Sequence, residues 1–105
     1  MQTIQTFTRG RLMTRPFVVG AINSGIPALQ ILPDDANRTY LLIQNNSTSN
    51  LLVSLDYAPQ SELLSLILGP GNFWEPAVVP VNSIYVYSDV LAAAHGVAIY
   101  GTFSG

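Results

Sequence analysis

Seven side chains in this sequence have the types that acid–base or metal chemistry needs: His95, the only histidine, and the acids Asp34, Asp35, Asp56, Glu62, Glu75 and Asp89. A zinc site draws three or four ligands from His, Cys and carboxylates, and with one His and no Cys no common set can be assembled. Nucleophilic catalysis needs a base and an orienting acid beside the nucleophile, which leaves only a Ser-His-Asp set, and no strand-turn-helix elbow presents a serine. A glycosidase pair would have to come from Glu62 and Glu75, placed on distant strands. Asp34-Asp35 followed by Asn37 lacks the glycine and terminal glutamate of a calcium loop, and "LGPG" has neither the spacing nor the lysine of a phosphate loop. The acids and the histidine therefore read as turn and surface groups, and the sequence predicts no enzyme, no metal and no cofactor.

The other chemistry on offer is recognition by aromatic rings. "LGPGNFWEPAVVP", residues 68–80, opens with Gly69-Pro70-Gly71-Asn72, where proline fixes φ at the first central position and Gly71 supplies the positive φ of a type II turn at the second. If Phe73 and Trp74 continue as a strand, their side chains point to opposite faces. One ring then closes the core and the other is displayed to a partner. Glu75-Pro76 and Val79-Pro80 interrupt ladder pairing, which suits a segment at a sheet edge.

The elements that must position these groups are strands. Short runs of Val, Ile, Leu, Tyr and Phe recur between clusters of Gly, Pro, Asn, Asp and Ser, and no 3.6-residue stripe persists. Strands are predicted over 17–21, 28–32, 39–44, 51–56, 63–68, 73–79, 84–87 and 97–103, too many for one flat sheet. The fold class is all-β: a small two-sheet β-sandwich, jelly-roll-like, over residues 17–105, preceded by an extended N-terminal arm over 1–16. Asn45–Asn50 reads as a hairpin tip. Leu51, Val53 and Leu55 share one face, with Leu52, Ser54 and Asp56 on a wet one. "DVLAAAHG" has helical manners, with Asp89 as cap and Gly96 in the left-handed terminal position.

Alternation also picks out candidate contact surfaces. Tyr40 and Leu42 offer apolar groups on the side opposite Leu41 and Ile43, so this strand is expected to be covered on both faces. Tyr85 and Tyr87 oppose Ile84 and Val86, and Tyr100 opposes Val97, Ile99 and Phe103. A tyrosine-bearing face suits protein or carbohydrate contact, while the same rings also suit the rim of a core with their hydroxyls in water. Tyr40, Leu42, Tyr85, Tyr87 and Tyr100 are the candidate oligomer interface, and Phe73 or Trp74 the candidate anchor for a different partner.

Composition favours association. The chain has 105 residues, of which 49% are hydrophobic and 10% charged. A typical soluble domain carries ~25% charge, and large neutral patches mark partner sites. A homo-oligomer is expected, a trimer ahead of a dimer. The net charge of −2 is unevenly placed: Arg9, Arg11 and Arg15 give the first fifteen residues +3, and Arg38 against six acids gives the rest −5. An extended basic arm can reach an acidic protein surface, or remain a solvated end. Three arginines on an acidic body make nucleic acid an improbable partner. No run reaches the ~18 apolar residues of a membrane span, and the opening stretch lacks the apolar segment of a secretion signal, which predicts a soluble, unprocessed chain with no membrane partner. Without cysteine there is no disulfide framework.

The order "NRTYLLIQNNSTSNLLVSLD", then "LILGPGNFWEPAVVPVNSIYVYSD", then "GVAIYGTF" resembles small virion structural proteins of tailed bacteriophages. In those an arginine-led "R-x-Y-L-x-I-Q-N" strand, an "L-x-P-G" turn, an aromatic-Glu-Pro segment and an "I-Y" strand build a small β-sandwich. The resemblance covers roughly residues 37–103 and consists of turns and strands. It implies a protein assembled into the virion in the bacterial host cytoplasm, foremost a capsid decoration or cement protein bound to the major capsid protein lattice. Other expectations are a tail, collar or fibre-attachment component and, from a different class, a carbohydrate-binding module using Trp74 and the tyrosines.

Overall fold

The computed structural model describes residues 11–20, 28–56, 66–88 and 93–102. These form eight strands: β1 (Leu12–Val19), β2 (Leu29–Leu32), β3 (Arg38–Asn45), β4 (Leu51–Leu55), β5 (Leu66–Leu68), β6 (Phe73–Trp74), β7 (Ile84–Ser88) and β8 (Ala94–Thr102). They make two four-stranded sheets, ordered β1-β8-β3-β6 and β2-β7-β4-β5, and all their pairings are antiparallel. Apart from β4 and β5, successive strands lie in opposite sheets, so the chain winds around a shared core as a jelly roll.

The period of two decides what fills that core. From the first sheet, Phe17, Val19, Leu41, Ile43, Ala94 and Ala98 point inward and are buried; from the second, Leu51, Val53, Leu68, Ile84 and Val86 meet them. Burying each large aliphatic side chain contributes ~1.5–3 kcal/mol. Three successive inward positions of central strand β8 are small, Ala94, Gly96 and Ala98. At Gly96 a Cβ would lie 2.0 Å from the Gln44 carbonyl oxygen and 3.0 Å from Phe17 Cζ. Only glycine permits that approach.

Four expectations change. Residues 45–50 do not tip a hairpin, because β3 pairs with β8 and β6 while β4 pairs with β7 and β5; the turn carries the chain across from one sheet to the other. Ala94, His95 and Gly96 belong to strand β8 rather than to a helix end, since pairing with β1 and β3 outweighs the local preference of a short alanine run. The first strand starts at Leu12, so Arg15 and Pro16 lie within a sheet instead of an arm. Strand β4 is buried on both faces, Leu52 and Ser54 included, so the side expected to be wet is covered.

Candidate functional site

Strand β3 organises the molecule, and its two end residues close the two ends of the sandwich. At the first end a bulge at Thr39 shifts the register between Arg38 and Tyr40, turning Arg38 inward. Its guanidinium donates to the carbonyls of Pro33 (2.6 Å), Pro80 (2.7 Å) and Asn82 (2.9 Å), tying the β2–β3 and β6–β7 loops together. Burial pulls its pKa down from the usual arginine value, and Asp35 and Asp34 oppose that pull. Asp35 accepts from the Thr102 hydroxyl (2.7 Å) and the Asn37 amide (2.9 Å), which hold its carboxyl below the ordinary aspartate value. At the other end Asn45 is fully buried. Its Nδ2 donates to the carbonyls of Ser49 (2.7 Å), Leu68 (2.9 Å) and Gly69 (3.1 Å), while Oδ1 accepts from the Ser47 amide (3.0 Å) and hydroxyl (2.6 Å).

That end also holds the aromatic turn. Gly71 has φ 79° and the Asn72 amide donates to the Gly69 carbonyl at 3.0 Å, the geometry of the expected type II turn. The Gly71 amide donates to the Asn45 carbonyl and the Asn45 amide to the Asn72 carbonyl, so β3 fixes where β6 begins. Phe73 pairs with Gln44 and points outward, 58% exposed, whereas Trp74 pairs with Ile43 and packs against the core. β6 is an edge strand, and Pro76 and Pro80 follow it.

Phe73 belongs to a broad surface, the outer face of the β1-β8-β3-β6 sheet. The registers place Leu12, Gly101 and Tyr40 in one row across it, Thr14, Ile99 and Leu42 in the next, then Pro16, Val97, Gln44 and Phe73, and finally Val18 and His95. Leu12 is 58% exposed and Val18 70%, and Tyr40, Leu42, Val97 and Ile99 are half-buried. None of these twelve residues carries a formal side-chain charge with the histidine neutral. At the rim, Tyr40 donates its hydroxyl to Glu75, and that hydrogen bond is the main reason its pKa is raised.

The tyrosines do not share a face. Tyr40 and Leu42 sit on the outer face just described. Tyr85 is half-buried on the outer side of the other sheet, its hydroxyl a long 3.4 Å from Gln30 Oε1. Tyr87 is 4% exposed and part of the core cluster, paired with buried Leu52. Tyr100 falls on the core-facing side, opposite Leu41 and Met13. Tyr87 and Tyr100 are thus corrected from interface candidates to packing residues. Arg11 and Arg15 are exposed at the β1 edge, and Arg9 and Glu62 lie outside the described residues. The alternation of Leu12, Thr14, Pro16 and Val18 was the signal that could have placed β1 on the face; Arg15 among them and Arg11 before them obscured it.

No family model matches the chain, and no curated protein matches it. Solved structures share its fold. A cupin 2 conserved barrel domain protein from Salinispora arenicola aligns with a TM-score of 0.54 and 12% identity, over 85% of this chain. The chain spans 61% of that protein's length. A protein of the Bacillus endospore appendages, a family of disulfide-linked pili, aligns with a TM-score of 0.53 and 13% identity, over 90% of this chain and 87% of that one. At such identities the likeness is one of fold, and it agrees with the jelly-roll strand order.

Proposed function

We propose that this chain is a non-enzymatic structural protein of a phage particle, a decoration or cement protein that binds the assembled major capsid protein lattice and stabilises the head. The observation that carries the reading is the uncharged apolar sheet face, a surface whose exposure to water is costly and which a protein cover relieves. Two further features support it. The described interior is filled by packed Leu, Ile and Val side chains, and the stretch resembling virion proteins supplies the residues that close the sandwich ends, Arg38, Asn45 and the Gly69–Asn72 turn. Exposed Arg11 and Arg15, with Arg9 before them, offer bidentate donors to carboxylates on the lattice.

A ligand that binds only the assembled shell shifts the balance toward assembly. Purified protein mixed with undecorated heads should co-sediment with them and raise their resistance to heat or chelation. Protein that stays in the supernatant at low salt and leaves head stability unchanged rules this role out. The likeness to a pilus protein keeps a tail, collar or fibre-attachment role as second reading, although a chain without cysteine cannot be cross-linked by disulfides. Labelling the protein in virion images separates the two positions.

A further inference from the structure

We infer that the open edge of β1 accepts an extended segment of the lattice protein as a fifth strand of its sheet, a segment in which carboxylate and apolar side chains alternate. The inference rests on the decoration reading above and gives the form and chemistry of the contact made at β1.

Backbone geometry identifies the free groups. The Asn45 amide donates to the Asn72 carbonyl and the Asn45 carbonyl accepts from the Gly71 amide, so the Asn45 backbone faces the β6 side. The Asn46 amide donates to the His95 carbonyl, on the opposite side. Successive residues of a strand turn these groups to alternate sides, so His95, Val97 and Ile99 face β3 while Ala94, Gly96, Ala98 and Tyr100 face β1. Their partners in the register, Val19, Phe17, Arg15 and Met13, complete the β1–β8 ladder. Leu12, Thr14, Pro16 and Val18 therefore turn their backbone groups to the other side of β1, where no described strand lies. Pro16 fits that side, because it has no N–H to withhold from the ladder. The open edge thus offers the amides of Leu12, Thr14 and Val18 and the carbonyls of all four residues. With eight residues β1 is the longest of the four edge strands; β2, β5 and β6 have four, three and two.

Side chains select the occupant. Arg15, and Arg11 just ahead of β1, are exposed and share one side of the strand, and neither β1 nor β8 contains an acid. Opposite charges facing across paired strands are favourable and like charges are not. A segment with carboxylates at the two positions opposite these arginines pairs with both. Its alternate side chains fall beside Leu12, Thr14, Pro16 and Val18, where apolar groups continue the uncharged outer face. A second copy makes a poor occupant, since antiparallel pairing over most of β1 sets the arginines of the two strands opposite or diagonal to one another. Proline and charge on an edge strand guard it against stray pairing, and here they exclude β1 itself while admitting an acidic strand.

The test uses the full chain, isotope-labelled, and two probes: an octapeptide alternating valine and glutamate, and its counterpart alternating valine and lysine. Amide hydrogen exchange is followed residue by residue by nuclear magnetic resonance. The glutamate peptide should slow the Thr14 and Val18 amides roughly tenfold and leave those of Met13 and Arg15, which already face β8, unchanged, while the lysine peptide slows none of them. Arg11→Gln/Arg15→Gln, at exposed positions, should leave the melting temperature unchanged and weaken binding of the glutamate peptide roughly tenfold at low salt, with the difference shrinking as salt rises. Thr14 and Val18 amides that exchange no more slowly with millimolar glutamate peptide overturn the inference, as does equal protection by the lysine peptide or unchanged affinity of the double variant at low salt. On heads the same two amides should be protected. A chain that co-sediments with heads while Thr14 and Val18 exchange freely overturns the inference and leaves the decoration role standing. A chain protected by the glutamate peptide that ignores heads keeps the strand site and removes the lattice as its partner.

Discussion

Arg38 and Asn45 stand at opposite ends of β3, do the same job and do it with different chemistry. Each is buried, and each donates to three backbone carbonyls of neighbouring segments. The cation reaches across both sheets and stands beside Asp35 and Thr102, so that end combines charge with a titrating network. The amide is neutral and compact, and its end is held by shape: Ser47, the Gly69–Asn72 turn and the close pass of Gly96 against Gln44. A charged closure tolerates loop adjustment at the cost of desolvation, whereas a neutral one demands tight geometry.

The sharpest way to break this contrast is at the neutral end. Gly96→Ala places a methyl 2.0 Å from the Gln44 carbonyl oxygen, so β8 and β3 must part. The expected loss is ~4 kcal/mol or more, enough to unfold a marginal domain, read by chemical denaturation. Arg38→Met leaves three carbonyls without donors and should cost ~3–5 kcal/mol, with Arg38→Lys recovering part because it keeps charge without the planar fork. A loss under ~1 kcal/mol for Arg38→Met would show that water replaces the guanidinium and that the charged end is not a closure.

Asn45→Ala should cost ~2–4 kcal/mol, since the Ser47 hydroxyl and three carbonyls lose one shared partner. Unlike changes at the Arg38 end, its cost should not vary with pH. The smallest effect is expected at Thr102→Val. The Thr102 hydroxyl helps hold the Asp35 pKa below 3.8, so its contribution is complete above that unfolded-state value and fades as pH falls through the lower folded-state value. Stability of wild type and variant should differ at neutral pH and converge in acid. Equal differences at every pH would mean the hydroxyl only packs.

Neither end depends on the apolar face between them. Changes at Gly96, Arg38 and Asn45 are therefore expected to act on folding, and Phe73→Ser on association, which separates the residues that build the sandwich from those that use it.

What the sequence determined by itself was local. Eight strands could be read from alternation and from Gly, Pro and Asn punctuation, and the type II turn followed from Pro70 and Gly71, because these residues restrict φ wherever they stand. The separation of Phe73 from Trp74 also followed, since neighbours on a strand point apart, but not which ring turned inward. That choice came from pairing Trp74 with core residue Ile43. Tertiary structure likewise decided that Asn45 closes the interior rather than a hairpin, that one bulged residue turns Arg38 inward, and that Tyr87 is packed while Tyr40 is displayed. The reason is parity. Alternation divides a strand's side chains into two sets, and which set meets the core depends on register and cover contributed by strands distant in sequence.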